Sequence, residues 1–331
     1  MSSKRQQIIG FMLLLSVLVA CRCVAQLNPN VEKGQVNVGN ATIAYESQGS
    51  HKVPAILLIA GTNMQLTAWP ASFCQQLVRR GYRVIRFDNR DVGLSTKFDQ
   101  VGLPDWAAIG KALAEQKTPP LPYTLDDMAS DAAGLLDALG IKKAHIVGVS
   151  MGGMIAQRVA YNHPEHTLSL TSIMAGGGKP TFPLVAKPEL AGQIPPPGAA
   201  SDTAAYIKRE VQSMKILAGS VYPLTELQAQ RRVQQAVQRA YYPDGLHRQG
   251  AASLAGFFAG RQEQLKTIKV PTLVIHGSED PIVVVEAGRD VAANVPGAVF
   301  QLINGMGHDL PEALTDQLTS LIIDNARKSK R

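Results

Sequence analysis

Cysteine is scarce in this chain: three in 331 residues, two of them, Cys21 and Cys23, within the first 25. A disulfide framework is excluded, and Cys74, inside an amphipathic stretch, reads as a buried apolar thiol. No metal-ligand spacing occurs; His163-Pro164-Glu165-His166 comes nearest, but Pro164 breaks any helix that would align the imidazoles, leaving a helix terminus. Charge of one sign is missing from the body. The seven excess positive charges are Lys4, Arg5, Arg22, Arg327, Lys328, Lys330 and Arg331, so residues 26–326 are neutral overall. A nucleic-acid partner, which needs a basic face on the folded domain, is therefore not expected, and 327–331 is a short basic tail. Nucleotide-binding loops are absent too: 148–153 lacks the G-x-G-x-x-G spacing, and no P-loop lysine occurs.

What is present is ordinary globular composition, 45% hydrophobic and 18% charged, which excludes disordered, collagen-like and multi-span membrane classes. Residues 1–25 read as an export signal: Lys4 and Arg5, an uncharged apolar run at 8–20, then small residues. That run of 13 residues falls short of the roughly 20 that span a bilayer. Two processing sites overlap. Leu18-Val19-Ala20-Cys21 resembles a bacterial lipobox, which would acylate Cys21 and anchor the protein to a membrane. Cys23-Val24-Ala25 resembles an ordinary signal-peptidase site, which would release it at Gln26. Either way export is expected, to the periplasm, as a membrane-anchored bacterial lipoprotein, or by secretion, with the lipobox preferred.

Beyond the leader, short apolar β-branched runs alternate with amphipathic stretches. A hairpin at 36–47 precedes strands at 55–60, 82–88, 144–149, 168–174, 272–276 and 299–303, with helices at 69–80, 125–139, 151–162, 284–294 and 311–326. Thr124 with Asp127 gives an acidic-capped helix start. The alternation breaks once, at 176–266, which opens on Gly176-Gly177-Gly178, passes Pro195-Pro196-Pro197 and turns helical across 203–218 and 224–241. The pattern predicts an α/β core, 26–175 and 267–326, with an inserted helical cap at 176–266.

The chemistry centres on Gly148-Val149-Ser150-Met151-Gly152-Gly153, a G-x-S-x-G motif directly after one strand and before a helix. A serine on that sharp turn has a strained backbone, and Gly148 and Gly152 supply room where side chains would clash. A serine hydroxyl needs a base to take its proton and an acid to orient the base, in the chain order Ser, acid, His. Asp280 follows the strand at 272–276, and His308 follows the strand at 299–303, so all three groups lie at carboxyl ends of strands. Glu279 is the rival acid. The oxyanion donors are expected at the backbone N–H of Met151 and of the loop Gly61-Thr62-Asn63-Met64. Asp88, Arg90 and Asp91 read as a charged brace, since a serine mechanism has no role for them.

The segments Ala60-Gly61-Thr62 through Trp69-Pro70, Arg86 through Ser95, and Ser150-Met151-Gly152-Gly153 resemble the α/β-hydrolase family, in the branch containing aclacinomycin methylesterase. The likeness covers about 35–175 and 268–325. It implies an α/β-hydrolase fold, a mostly parallel sheet flanked by helices with an inserted cap, nucleophile Ser150, acid Asp280, base His308, and oxyanion donors at Thr62 and Met151. Many relatives carry His-Gly before the oxyanion residue; here Ala60-Gly61 stands, which keeps the donor and leaves the loop's supporting hydrogen bonds open. The function expected is a cofactor-free serine hydrolase of a small ester-like substrate. Perhydrolysis, amide or C–C bond hydrolysis on the same triad are alternatives, as is a non-catalytic binding protein.

Overall fold

The computed structural model describes residues 31–329 apart from 180, 184 and 194–201. The leader with Cys21, the proline run at 195–197 and residues 330–331 lie outside the described residues.

The described residues open with two strands, β1 (Glu32–Val38) and β2 (Ala41–Gln48), turned at Gly39, whose φ of +54° suits a residue without Cβ. There follow β3 (Ala55–Ile59), α1 (Ala71–Arg79), β4 (Arg83–Phe87), α2 (Trp106–Ala114), α3 (Leu125–Ala138), β5 (Ala144–Val149), α4 (Met151–Asn162) and β6 (Thr167–Ile173). Helices α5 (Pro188–Ala191), α6 (Thr203–Leu217), α7 (Glu226–Arg239), α8 (Asp244–Phe258) and α9 (Gln262–Lys266) come next. The chain closes with β7 (Thr272–Gly277), α10 (Val285–Asn294), β8 (Val299–Ile303) and α11 (Thr315–Arg327).

The strands form one eight-stranded sheet in the order β1-β2-β4-β3-β5-β6-β7-β8. β2 runs antiparallel to β1 and β4, and the remaining neighbours are parallel. From β3 the chain steps outward to β4 and later returns to β5 on the other side. The loops after β3 and β5 therefore diverge at a topological switch point, where open α/β sheets bind their ligands.

Both faces of the sheet are covered. In β3, Ile56 and Leu58 point to α1 and α11, packing with Phe73, Cys74, Leu77, Leu318 and Ile322, while Leu57 and Ile59 point to α3 and α4. Each such fully buried side chain contributes about 1.5–3 kcal/mol. On α3, Leu125, Met128, Ala129, Ala132 and Leu136 recur at helical spacing on the buried face, behind a Thr124–Asp127 capping box.

The observed hairpin is longer than the apolar pattern at 36–47, because β1 is a half-exposed edge strand held by backbone pairing rather than by burial. Among the described residues the segment between β6 and β7 carries three further helices, the short α5 and α9 and the longer α8, beyond the two stretches that read as helical. The three glycines of α8 weaken the helical signal, yet they allow close packing: a Cβ on Gly256 would lie 2.3 Å from Leu125 Cδ1, and one on Gly245 would lie 1.8 Å from Asp91 O.

The loop after β4 is fixed by buried charge. Arg90 stacks over the Phe98 and Tyr123 rings at 5.0 and 5.3 Å and pairs with Asp131 of α3 through two bonds of 2.7 and 2.8 Å. Removing one member of a buried pair strands the other, at about 3–5 kcal/mol. Asp131→Ala should lose that much stability in urea unfolding; a loss below about 1 kcal/mol would mean that Arg90 keeps its charge solvated.

Candidate active site

The strand-to-helix turn is built around missing side chains. Ser150 has φ +55° and ψ −124°, a left-handed conformation that costs about 1–3 kcal/mol for a residue with a Cβ. A Cβ on Gly148 would sit 2.0 Å from Gly152 O, and one on Gly152 would sit 2.2 Å from Ile59 O. Ser150 N–H donates to Ile173 O at 2.9 Å, which pins the turn to β6. The hydroxyl then stands clear of the sheet at the first turn of α4.

Asp280 and His308 reach it from the ends of β7 and β8. His308 Nε2 lies 2.9 Å from Ser150 Oγ, and His308 Nδ1 lies 2.7 Å from Asp280 Oδ2. With Asp280 ionised, Nδ1 carries the hydrogen and donates to it, so Nε2 presents its lone pair to the serine hydroxyl. The other carboxylate oxygen of Asp280 accepts the N–H groups of Ile282 and Val283, both at 2.8 Å. Burial alone would raise this carboxyl; His308 and His276 outweigh it and hold Asp280 well below the usual carboxylate range. His276, fully buried, is a second imidazole on the acid, with Nε2 3.3 Å from Asp280 Oδ2 and 3.0 Å from Val283 O.

Glu279 is turned elsewhere. Its carboxylate accepts the Ser220 N–H at 2.6 Å and the Ser220 hydroxyl at 2.8 Å, which ties it to the cap beyond α6. The same stretch holds His308, whose backbone N–H donates to Leu217 O at 2.7 Å.

Thr62 and Met151 flank Ser150. Gly61 faces Ser150 so closely that a Cβ there would lie 3.2 Å from Ser150 Cβ. Neither the Thr62 N–H nor the Met151 N–H has an acceptor among the described residues. The Asn63 N–H, by contrast, is taken by Gln249 Oε1 at 2.7 Å. Support for this loop, open in the sequence for want of the histidine, comes from Gln249 and from Asn89 Nδ2, which donates to Ala60 O at 3.0 Å. The charged residues after β4 brace it. Asp88 accepts the Leu66 N–H at 2.7 Å and pairs with Arg239 of α7 at 2.8 Å, while Asp91 takes the Arg248 guanidinium of α8 at 2.8 and 3.0 Å.

A cavity of about 900 Å³ opens on Ser150 and His308, walled by Met64, Met151, Met154, Met174, Met214 and Phe257. One wall residue carries no motif and escaped the sequence: Asp309, adjacent to His308. Both its carboxylate oxygens are buried without a hydrogen-bond partner among the described residues. Burial, opposed by Arg232 and His308, pushes its carboxyl up to about 6. Gln249 escaped as well, because its partners lie 159 and 186 residues away along the chain. Among the described residues no three His, Cys, Asp or Glu side chains gather as a metal's ligands would.

Comparison with known proteins agrees with this architecture. The family model described as alpha/beta hydrolase fold matches residues 54–312. Rhodomycin D methylesterase from Streptomyces sp. (strain C5) is 29% identical over 306 residues, 86% of this chain and 95% of that one. The protein of the same name from Streptomyces peucetius is 29% identical over 304 residues, 86% and 95% of the two chains. Among solved structures, a meta-cleavage product hydrolase from Pseudomonas fluorescens superposes with a TM-score of 0.68 at 20% identity, covering 90% of this chain and 98% of that one.

Asp309 makes stability depend on pH in a defined direction. Its folded-state value, about 6, lies above the ordinary 3.8, so its stabilisation is full below pH 3.8 and is lost as pH rises through 6. Asp309→Asn removes that dependence. The stability of the variant relative to wild type should therefore rise by about 2 kcal/mol between pH 4.5 and 8, measured by urea unfolding. A difference that does not change with pH would place the carboxylate in water.

Proposed function

We propose that this chain, which belongs to the α/β-hydrolase fold family, hydrolyses carboxylic esters through an acyl-enzyme formed on Ser150. The observation that carries the proposal is the unbroken relay from Asp280 through His308 to Ser150, at 2.7 and 2.9 Å, on the wall of a substrate-sized cavity. The likeness to two methylesterases along most of their length supports ester chemistry in particular.

In the proposed cycle His308 Nε2 takes the Ser150 proton as Oγ attacks the ester carbonyl. Asp280 stays ionised; it keeps the imidazole in its Nδ1–H tautomer and stabilises the imidazolium. The Thr62 and Met151 N–H groups, with the positive end of α4, stabilise the tetrahedral oxyanion. The imidazolium returns its proton to the leaving alcohol, and water activated by the same histidine frees the acid. No step calls for a cofactor. The apolar, methionine-rich wall suits an ester with a bulky apolar group, since flexible thioethers adapt to irregular shapes.

The test is a series of nitrophenyl esters of increasing acyl size. Ser150→Ala should stay folded and lose activity by about 10⁴-fold or more, with Asp280→Asn and His308→Ala in the same range. Glu279→Gln should keep most of the rate, its carboxylate being engaged with Ser220. A tenth of the activity left in Ser150→Ala would sink the assignment.

Location forms a separate part of the proposal, supported by the leader pattern alone: export, with Cys21 lipidated and anchoring the protein at a membrane surface. In a bacterial host the full-length protein should fractionate with membranes, and Cys21→Ser should be soluble or unprocessed. A mature N-terminus at Gln26 by mass spectrometry would replace anchoring with release.

A further inference from the structure

The cap touches the oxyanion loop through the backbone of Asn63. Gln249 of α8 is fully buried and bridges two strand-end loops: its Oε1 accepts the Asn63 N–H at 2.7 Å, and its Nε2 donates to Arg90 O at 2.7 Å. The helix that carries it is locked, because the preceding residue, Arg248, holds Asp91 through two bonds. Asn63 itself stands at φ +59°, and its Nδ2 donates to the Tyr206 hydroxyl of α6 at 3.1 Å. Thr62 thus lies between two fixed points of backbone, Ala60 O held by Asn89 and Asn63 N–H held by Gln249. Without the second, the Thr62–Asn63 peptide loses its one buried side-chain acceptor, and the left-handed turn, which asparagine tolerates better than most residues, is left to the Met64 N–H to Gly61 O bond at 3.2 Å and the Asn63–Tyr206 contact.

We infer that Gln249 is a positioning residue for the oxyanion hole: through Asn63 it aims the Thr62 N–H at the developing oxyanion, so that the cap completes the catalytic site as well as covering it. The inference rests on the proposed roles of Ser150 and Thr62. Alignment of a donor matters in the transition state far more than in the bound ester, where the carbonyl oxygen carries little charge. Loss of Gln249 should therefore lower kcat and leave KM nearly unchanged. A purely structural residue would lower stability, or raise KM as the cap shifts, without separating the two.

The experiment compares Gln249→Met, which keeps the length and deletes both hydrogen bonds, with Gln249→Glu, which keeps an acceptor for the Asn63 N–H. Wild-type and variant proteins are assayed on one nitrophenyl ester, with thermal unfolding, fluorophosphonate titration of Ser150 and inhibition by a boronic acid that forms a tetrahedral adduct. Gln249→Met should lose about 10- to 100-fold in kcat, less than the 10²–10³ for outright deletion of a donor, with KM within about threefold. Boronic acid affinity should fall in step with kcat, and Gln249→Glu should remain within about fivefold of wild type. An unchanged kcat in folded Gln249→Met, a KM effect alone, or an equal loss in Gln249→Glu would each overturn the inference. Should Gln249→Met not fold, Gln249→Asn carries the comparison, being too short to bridge Asn63 and Arg90; unchanged kcat there overturns it equally. A wild type that neither hydrolyses esters nor labels at Ser150 would overturn the underlying function, and this inference with it.

Discussion

The first turn of α4 can press against the end of β3 only because no side chain occupies the space between them. The atoms in contact are backbone atoms, Gly152 against Ile59 O and Gly148 against Gly152 O, and one methyl group at either position would drive them apart. From that approach the rest of the site follows. It brings Ser150 beside Gly61, and so sets its hydroxyl-bearing turn next to the loop that carries Thr62. It also forces Ser150 into a positive φ, a local cost of about 1–3 kcal/mol that the two apolar layers of the sheet easily outweigh. Asp280 and His308 need then only arrive from neighbouring strand ends, which the parallel register of β6, β7 and β8 ensures.

The helices between β6 and β7 are fastened to the core at the loops after β4, β7 and β8. Arg239 meets Asp88, Arg248 meets Asp91, Ser220 meets Glu279, and Leu217 O holds the backbone of His308. Buried ion pairs of this kind add little net stability, since desolvation offsets much of their attraction, but breaking one is costly. Their effect is therefore to fix geometry. Arg261 shows the same economy of means without a carboxylate: fully desolvated, pushed down to about 9, it is satisfied by Gln157 Oε1 and by the carbonyls of Gly256 and Gly176. It joins the end of α8 to the strand exit where the inserted segment begins.

Sheet, flanking helices and the three groups gathered at Ser150 were legible in the sequence because each has a local signature. Continuous β-branched runs mark the parallel strands, helical spacing marks α3 and α11, and G-x-S-x-G marks a turn that only glycines permit. Asp280 and His308 were legible through position, each in the first loop after a strand. Gln249 had no such mark. It is one glutamine in a glycine-containing stretch, and its meaning arises from hydrogen bonds closed across more than 150 residues. Asp309 could have been suspected only from its adjacency to His308; that its carboxylate lacks a partner is a property of packing. Helix α2 and the excursion around it were unread for a different reason, since Asp105 caps a short helix whose exposed Trp106, Ala107 and Gly110 carry little periodic signal.

Cys74 lies fully buried between α1 and the sheet, and burial pushes its thiol up to about 11. Near neutral pH only about one molecule in 10⁴ carries the thiolate, the form that attacks disulfides and peroxides, and even that one is shielded by the core. Once the chain is folded, this thiol is therefore closed to disulfide exchange, whether the surroundings are oxidising or reducing. The vulnerability of this thiol is confined to the time before α1 docks, when it is still free to exchange.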